Sequence, residues 1–152
     1  MLFGKKKNRL NMNDKVELNA EVFIDIPFHD VDLMRVAWHG HYAKYMEIAR
    51  SALLDKIDYN YPQMEESGYV WPVIDMRVRY AHPLRFMQKV KVIATLVEWE
   101  NRLKIAYLFE DTESGKRLTK AYTVQVAVDM ENHEMLYVSP NILFRKLGFL
   151  DE

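Results

Sequence analysis

The sequence predicts an α+β domain in which one long amphipathic helix packs on an antiparallel sheet. Two observations carry this. Apolar residues recur at three- and four-residue spacing over one long stretch, 42–57, and at every second residue in most of the chain that follows. The alternating segments are joined by short polar turns, which suit antiparallel neighbours, whereas parallel strands need long crossovers. A chain of 152 residues is sized for a single domain with one core.

The first strand is expected over 18–26, with Ala20, Val22, Ile24 and Ile26 on one side and Asn19, Glu21 and Asp25 on the other. Pro27 ends it, having no N–H for a ladder. In the helix, Tyr42, Tyr45, Met46, Ala49, Ala52 and Leu53 share a face that Leu54 and Ile57 widen, and Lys44, Glu47, Ser51 and Asp55 lie opposite. So broad an apolar arc calls for cover on more than one side. Residues 58–68 read as a loop punctuated by Pro62 and Gly68.

The period then changes to two. Ile74, Met76, Val78 and Tyr80 alternate with Asp75, Arg77 and Arg79 until Ala81-His82-Pro83-Leu84 breaks the run. Residues 90–99 are almost continuously apolar, which predicts a central strand. Strands over 103–109 and 118–128 flank a polar turn at 111–115, and a short last strand is expected over 135–138 after a turn at Asn132-His133. Ser139 as N-cap and Pro140 at the first helical position predict a terminal helix over 141–147, stopped by Gly148. Ile93, Val97 and Leu108 fall on the sheet face away from the long helix, and their cover is expected from a second copy, in a homodimer or homotetramer.

Composition narrows the chemistry. Lysine and arginine (21) nearly balance aspartate and glutamate (22), so nothing favours nucleic acid or an anionic membrane as partner. Without cysteine there is no disulfide, thiolate nucleophile or Cys-ligated zinc, and covalent catalysis falls to Asp, Ser, Lys or His. No apolar run is long enough to span a membrane, and the start lacks the apolar centre of a signal peptide. Residues 1–15, with Lys5, Lys6, Lys7 and Arg9, read as a flexible basic tail before a single domain over 16–152, and a cytoplasmic location is expected.

The densest chemistry lies in Phe28-His29-Asp30-Val31-Asp32-Leu33-Met34-Arg35-Val36-Ala37-Trp38-His39-Gly40-His41-Tyr42, which runs straight into the long helix. A helix start presents unpaired N–H groups and partial positive charge. Ester or thioester hydrolysis needs such donors for the oxyanion, with a carboxylate or imidazole beside them.

This segment resembles the signature of the 4-hydroxybenzoyl-CoA thioesterase family of hotdog-fold acyl-CoA thioesterases: an aromatic residue (Phe28), Asp-x-Asp (Asp30-Val31-Asp32), a short apolar stretch (Met34, Val36), and an aromatic and histidine-containing helix entry (Trp38-His39-Gly40-His41-Tyr42). Glu47 and Arg50 match the Glu-x-Ala-Arg pattern of the family's helix, and Tyr80-Ala81-His82-Pro83-Leu84 is similar to its second-strand exit. The resemblance implies a hotdog fold, one helix wrapped by a curved antiparallel sheet. It implies dimers whose sheets join, with active sites at the dimer interface and a pantetheine channel leading to each. By position it assigns catalysis to Asp32, as nucleophile or general base, and oxyanion donation to the backbone N–H at His39, whose side chain also takes part in many members. Arg35 stands where the family usually has glycine, His41 where asparagine is frequent, and Gln88 where an aspartate is often found.

Each residue also has a plainer reading. Asp32 as a loop carboxylate caps the helix or pairs with Arg35, and Asp30 holds the loop by hydrogen bonds. His29, His39 and His41 with the two aspartates could form a metal site, but residues two apart diverge at a helix start and the resemblance explains them without metal or other cofactor. Arg35, Trp38, His41, Tyr42 and Tyr80 are candidate substrate contacts; Tyr80, Trp71 and Tyr59 serve equally as core or interface aromatics. Arg77, Arg79, Arg85, Lys89 and Lys91 form either a solvated face or a contact for coenzyme A phosphates or an acidic carrier protein. The expected activity is hydrolysis of an acyl thioester of coenzyme A. Thioesters on acyl carrier protein, and acyl-thioester binding without turnover, are the alternatives.

Overall fold

The computed structural model describes residues 17–150. Five strands form one antiparallel sheet: β1 (Asn19–Asp25), β3 (Val73–Tyr80), β4 (Lys89–Glu98), β5 (Leu103–Asp111) and β6 (Arg117–Gln125), in the order β1-β4-β5-β6-β3. A second ribbon pairs β2 (Tyr69–Val70) with β7 (Val128–Asp129). The helices are α1 (Tyr42–Lys56), α2 (Tyr61–Glu66) and α3 (Asn141–Lys146). The basic tail expected over 1–15 lies outside the described residues.

The helix α1 lies against β1 and β4. Tyr42, Tyr45, Met46, Ala49, Leu53 and Leu54 are buried, as their spacing predicts. They meet the inner face of the sheet: Ala20 of β1, Val90, Val92, Ala94 and Leu96 of β4, and Leu103, Ile105, Tyr107 and Phe109 of β5, all buried at every second position. On the opposite face Ile93 and Leu108 are half-buried and Val97 is exposed, where alternation places them. The strand β4 has neighbours on both sides, in keeping with its continuous apolar run, and the central position belongs to β5.

Four local expectations are corrected. The loop expected over 58–68 contains α2. Asn60 accepts the Tyr61 N–H at 2.8 Å while Gln63 Oε1 accepts the Asn60 N–H at 3.0 Å, a reciprocal cap with Pro62 in the first turn. The strand expected over 118–128 is split. Val126 and Ala127 leave the ladder, the Val126 N–H turning to Pro72 O, and the chain re-pairs as β7. The last strand over 135–138 reduces to a single bridge, Val128 to Met135, because the two residues of β7 offer almost no edge to extend. Before α3, Pro140 is the N-cap and Ser139 makes no capping bond; its hydroxyl is buried without a partner.

Asn60 also ties α2 to α1. Its side-chain amide donates to Ser51 Oγ and to Asp55 Oδ1, both at 2.8 Å. Asn60→Ala removes the cap and the cross-helix bonds to Ser51 and Asp55. The expected cost is about 2 kcal/mol, read as a lower urea midpoint at unchanged slope. An unchanged midpoint would mean that α2 is held by apolar contact alone.

Candidate active site

The segment between β1 and α1 is organised around Asp30. Pro27 ends β1, and a single 3₁₀ turn, Phe28–Asp30, brings the Asp30 carboxylate inward to 2 % exposure. There Lys44 Nζ donates to both carboxylate oxygens at 2.7 Å and the Tyr45 hydroxyl donates to Oδ2 at 2.6 Å. His29 Nε2 and His41 Nδ1 stand 3.6 and 3.9 Å from Oδ1. Burial pushes the Asp30 carboxyl up, but the bonds from Lys44 and Tyr45 and the charges of Lys44 and His41 outweigh it and hold it below its ordinary value. The same burial, with Asp30 beside it, pushes the Tyr45 phenol well up, so it stays a donor.

From this anchor the chain makes a small hairpin. Val31 bridges Ala37, the Asp32 N–H donates to Val36 O at 3.0 Å, and the Arg35 N–H donates to Asp32 O at 2.9 Å. Asp32 Oδ1 accepts the Met34 N–H at 2.8 Å and closes the tip. Arg35 sits at φ 63°, in the left-handed region that glycine enters without strain. This is the position where the family resemblance expects glycine, and the turn survives the replacement. The hairpin rests on the segment after β3, through a Val36–Arg85 bridge and the bonds Ala37 N–H to Leu84 O and Phe86 N–H to Arg35 O. Gln88 braces that segment, accepting from the Arg85 N–H and donating to Asp111 at 2.6 Å. Asp32 is exposed at the wall of a concavity of about 710 Å³, with Phe28, His29, Arg35 and Phe86 around it.

The helix entry is a second 3₁₀ turn, His39–His41, continuous with α1. The N–H groups of His39 and Gly40 begin it, where no preceding turn supplies an acceptor. The Trp38 indole folds over Gly40 so closely that a Cβ there would lie 2.1 Å from the ring, so any other residue would push the indole aside. Trp38 is also 4.9 Å from the His39 ring and 5.4 Å from that of His41. The Tyr80 hydroxyl donates to His39 O at 3.2 Å and its ring packs edge-on to Tyr42 at 4.7 Å. Tyr42 is buried against Phe109, and its hydroxyl accepts the Leu84 N–H.

The candidate residues thus fall into two neighbouring groups. Asp32 and Arg35 share the concavity, while Trp38, His39, His41, Tyr42 and Tyr80 cluster at the start of α1. Trp71 and Tyr59 are buried and joined by a hydrogen bond from Trp71 Nε1 to the Tyr59 hydroxyl at 3.1 Å. Among the described residues, no three His, Asp or Glu side chains converge as a metal site.

A second cleft, about 770 Å³, opens between α1, α2 and β3. Arg50 lines it at 6 % exposure, its Nη2 donating to the Tyr61 hydroxyl at 2.8 Å. Only its family pattern singled out Arg50 in the sequence. Its place four residues after Met46 and one after Ala49, on the apolar arc of α1, was the signal that it would be buried.

Residues 26–144 match the family model of the thioesterase-like superfamily. This chain belongs to that family. Its fold is the hotdog, and its enzyme class is that of the family, thioester hydrolysis. It is 29 % identical over 110 residues to a putative acyl-CoA thioesterase, YneP, of Bacillus subtilis, covering 72 % of this chain and 79 % of the relative. A DHNA-CoA thioesterase from Staphylococcus aureus superposes with a TM-score of 0.71 at 26 % identity, covering 78 % of this chain and 80 % of that one. A 4-hydroxybenzoyl CoA thioesterase mutant complexed with 4-hydroxybenzoyl CoA shares the fold at 14 % identity and TM-score 0.73, covering 86 % and 98 %. No helix among the described residues is long and apolar enough to cross a membrane.

A carboxyl held low in the native state stabilises above its unfolded-state value near 3.8, and that contribution is lost as pH falls through the lowered native value. Asp30→Asn is expected to lose about 2 kcal/mol at neutral pH. It should also flatten the fall in thermal midpoint that the parent shows below about pH 4. Thermal denaturation across pH checks both; equal midpoints at neutral pH would show that the cluster contributes nothing net.

Proposed function

We propose that this protein hydrolyses acyl-CoA thioesters at the Asp32 hairpin and the His39–His41 turn. The observation that carries the reading is an exposed Asp32 whose Oδ1 is oriented by the Met34 N–H at the wall of a cavity, in a chain of a thioesterase family. In the reaction, an Asp32 oxygen attacks the thioester carbonyl carbon, the carbon–sulfur bond breaks, and the thiolate leaves to take a proton. Water then cleaves the acyl–Asp32 anhydride to free acid and carboxylate. Alternatively Asp32 takes a proton from a water that attacks directly. In both, the oxyanion forms against the N–H groups of His39 and Gly40. Tyr80 supports this by tying His39 O to the end of β3, and the His39 imidazole, under Trp38, protonates the departing thiolate.

The assembly that accompanies this reading is a homodimer formed along β3, the sheet edge that exposes Val73, Ile74, Met76 and Tyr80. An acyl carrier protein thioester is the second reading. Arg79 lies in register with Lys120 of β6, and two cations side by side favour an acidic partner.

Asp32→Asn is expected to fold as the parent does and to lose about 100-fold or more of kcat on acyl-CoA thioesters, followed as free thiol. Parental turnover in this variant would remove Asp32 from the chemistry. In a single turnover in ¹⁸O-water, label in the Asp32 carboxyl means attack by Asp32, whereas label only in the product acid, with no acyl–Asp32 anhydride trapped by hydroxylamine, means attack by water.

A further inference from the structure

The cleft between α1, α2 and β3 is walled by apolar side chains, Met46, Met64, Trp71, Val73 and Met76 among them, yet a guanidinium is built into it. Arg50 is 6 % exposed, and its carboxylate partner is Glu47, whose Oε1 accepts from Nη2 at 3.5 Å on a side chain that is 55 % exposed; its shorter bond is to the neutral Tyr61 hydroxyl at 2.8 Å. Tyr61 in turn donates to Glu47 Oε1 at 3.1 Å, and the Tyr107 hydroxyl, a second neutral oxygen beside the guanidinium, is also hydrogen-bonded to Thr123 Oγ1 at 2.8 Å. A buried cation with so little anionic compensation is costly where methionine would pack. Its five donors exceed the partners it has. The cleft also has a direction. Ala43 in the first turn of α1 lines one end, and Arg50 stands seven residues on, about 10 Å along the helix axis. An acyl group whose carbonyl sits at the start of α1 and whose body follows the helix brings its far end to Arg50.

We propose that Arg50, with Tyr61 and Glu47, is a specificity-determining site for acyl groups that carry an oxygen at the end distal to the thioester. The proposal rests on the thioesterase reading for the position of the carbonyl. Arg50 donates to that oxygen; where it is a hydroxyl, its O–H in turn donates a hydrogen bond to Glu47. An acyl group without the oxygen leaves the guanidinium buried and dry, and the discrimination comes from that unmet donor. The four methionines of the cleft, Met46, Met64, Met76 and Met130, adapt to the acyl body without selecting it.

The test uses full-length protein and matched pairs of acyl-CoA compounds that differ only in a distal hydroxyl or carboxylate. Each pair is assayed as thioester for kcat/KM and as non-hydrolysable thioether for Kd by calorimetry. The parent is expected to prefer the oxygen-bearing member by roughly 10- to 100-fold. Arg50→Met should bring the ratio within each pair close to one, and Arg50→Lys should keep part of it. Tyr61→Phe, a milder change, covers the case in which Arg50→Met does not fold, and should shrink the ratio for the hydroxyl pair. Preference for the hydroxyl over the carboxylate would place Glu47 in the contact; the reverse order would assign the site to the guanidinium alone. A parental ratio near one, or a ratio that Arg50→Met and Tyr61→Phe leave intact, overturns the proposal while turnover upholds the thioesterase reading. Selective thioether binding without any thioester turnover upholds the Arg50 site and overturns that reading. Neither binding nor turnover overturns both.

Discussion

The buried charge of Asp30 is the constraint on which the rest of the site depends. One carboxylate, removed from water by a single 3₁₀ turn, recruits a lysine and a tyrosine from the first turn of α1. Burying a carboxylate alone costs several kcal/mol, and this is offset only because every nearby donor is aimed at it. The consequence is geometric. The exit of β1 and the entry of α1 are bound to the same two oxygens, so the residues between them have fixed ends. The Asp32 hairpin and the His39–His41 turn are hung on that clamp.

Within the clamp, two tight places set the shape of the site. Arg35 adopts a left-handed backbone without being glycine, and the turn persists because its N–H and C=O are both engaged, with Asp32 and Phe86. Gly40 is the converse: its conformation is ordinary, and the absence of a side chain lets the Trp38 ring lie against it. Trp38 is thereby laid over the start of the helix, against the rings of His39 and His41. The end of β3 contributes through Tyr80, so the free sheet edge and the helix entry are mechanically joined.

The helix α1 performs two tasks with one apolar arc. Tyr45, Ala49, Leu53 and Leu54 bury it on the sheet, while Met46 and Arg50, at its margin, face the cleft that α2 closes. The existence of that cleft depends on Asn60, which begins α2 and bonds back to α1 at Ser51 and Asp55. A loop in place of α2 would leave Arg50 open to water, where its charge would be screened.

The sequence by itself determined the class of fold, the extent of α1, the inner and outer faces of β4 and β5, and the segment proposed to carry the chemistry. Those features follow from periods of 3.6 and two and from turn residues, which act between near neighbours. Family resemblance supplied the distinction between Asp30 and Asp32, and the tertiary structure supplied its physical form: Lys44 and Tyr45 reach Asp30 across fourteen and fifteen residues and leave Asp32 at the surface. The cap at Asn60 was legible in principle from Asn60 and Gln63 and was masked by Pro62, which reads as a breaker although the first turn of a helix accepts it. The split of the last long strand, and the loss of the one after it, were not legible, because the edge a strand can pair with is set by the rest of the sheet. The burial of Arg50 was decided in the same way: a charged residue on an apolar arc goes inside only when a distant element, here α2 with Tyr61, arrives to bond it.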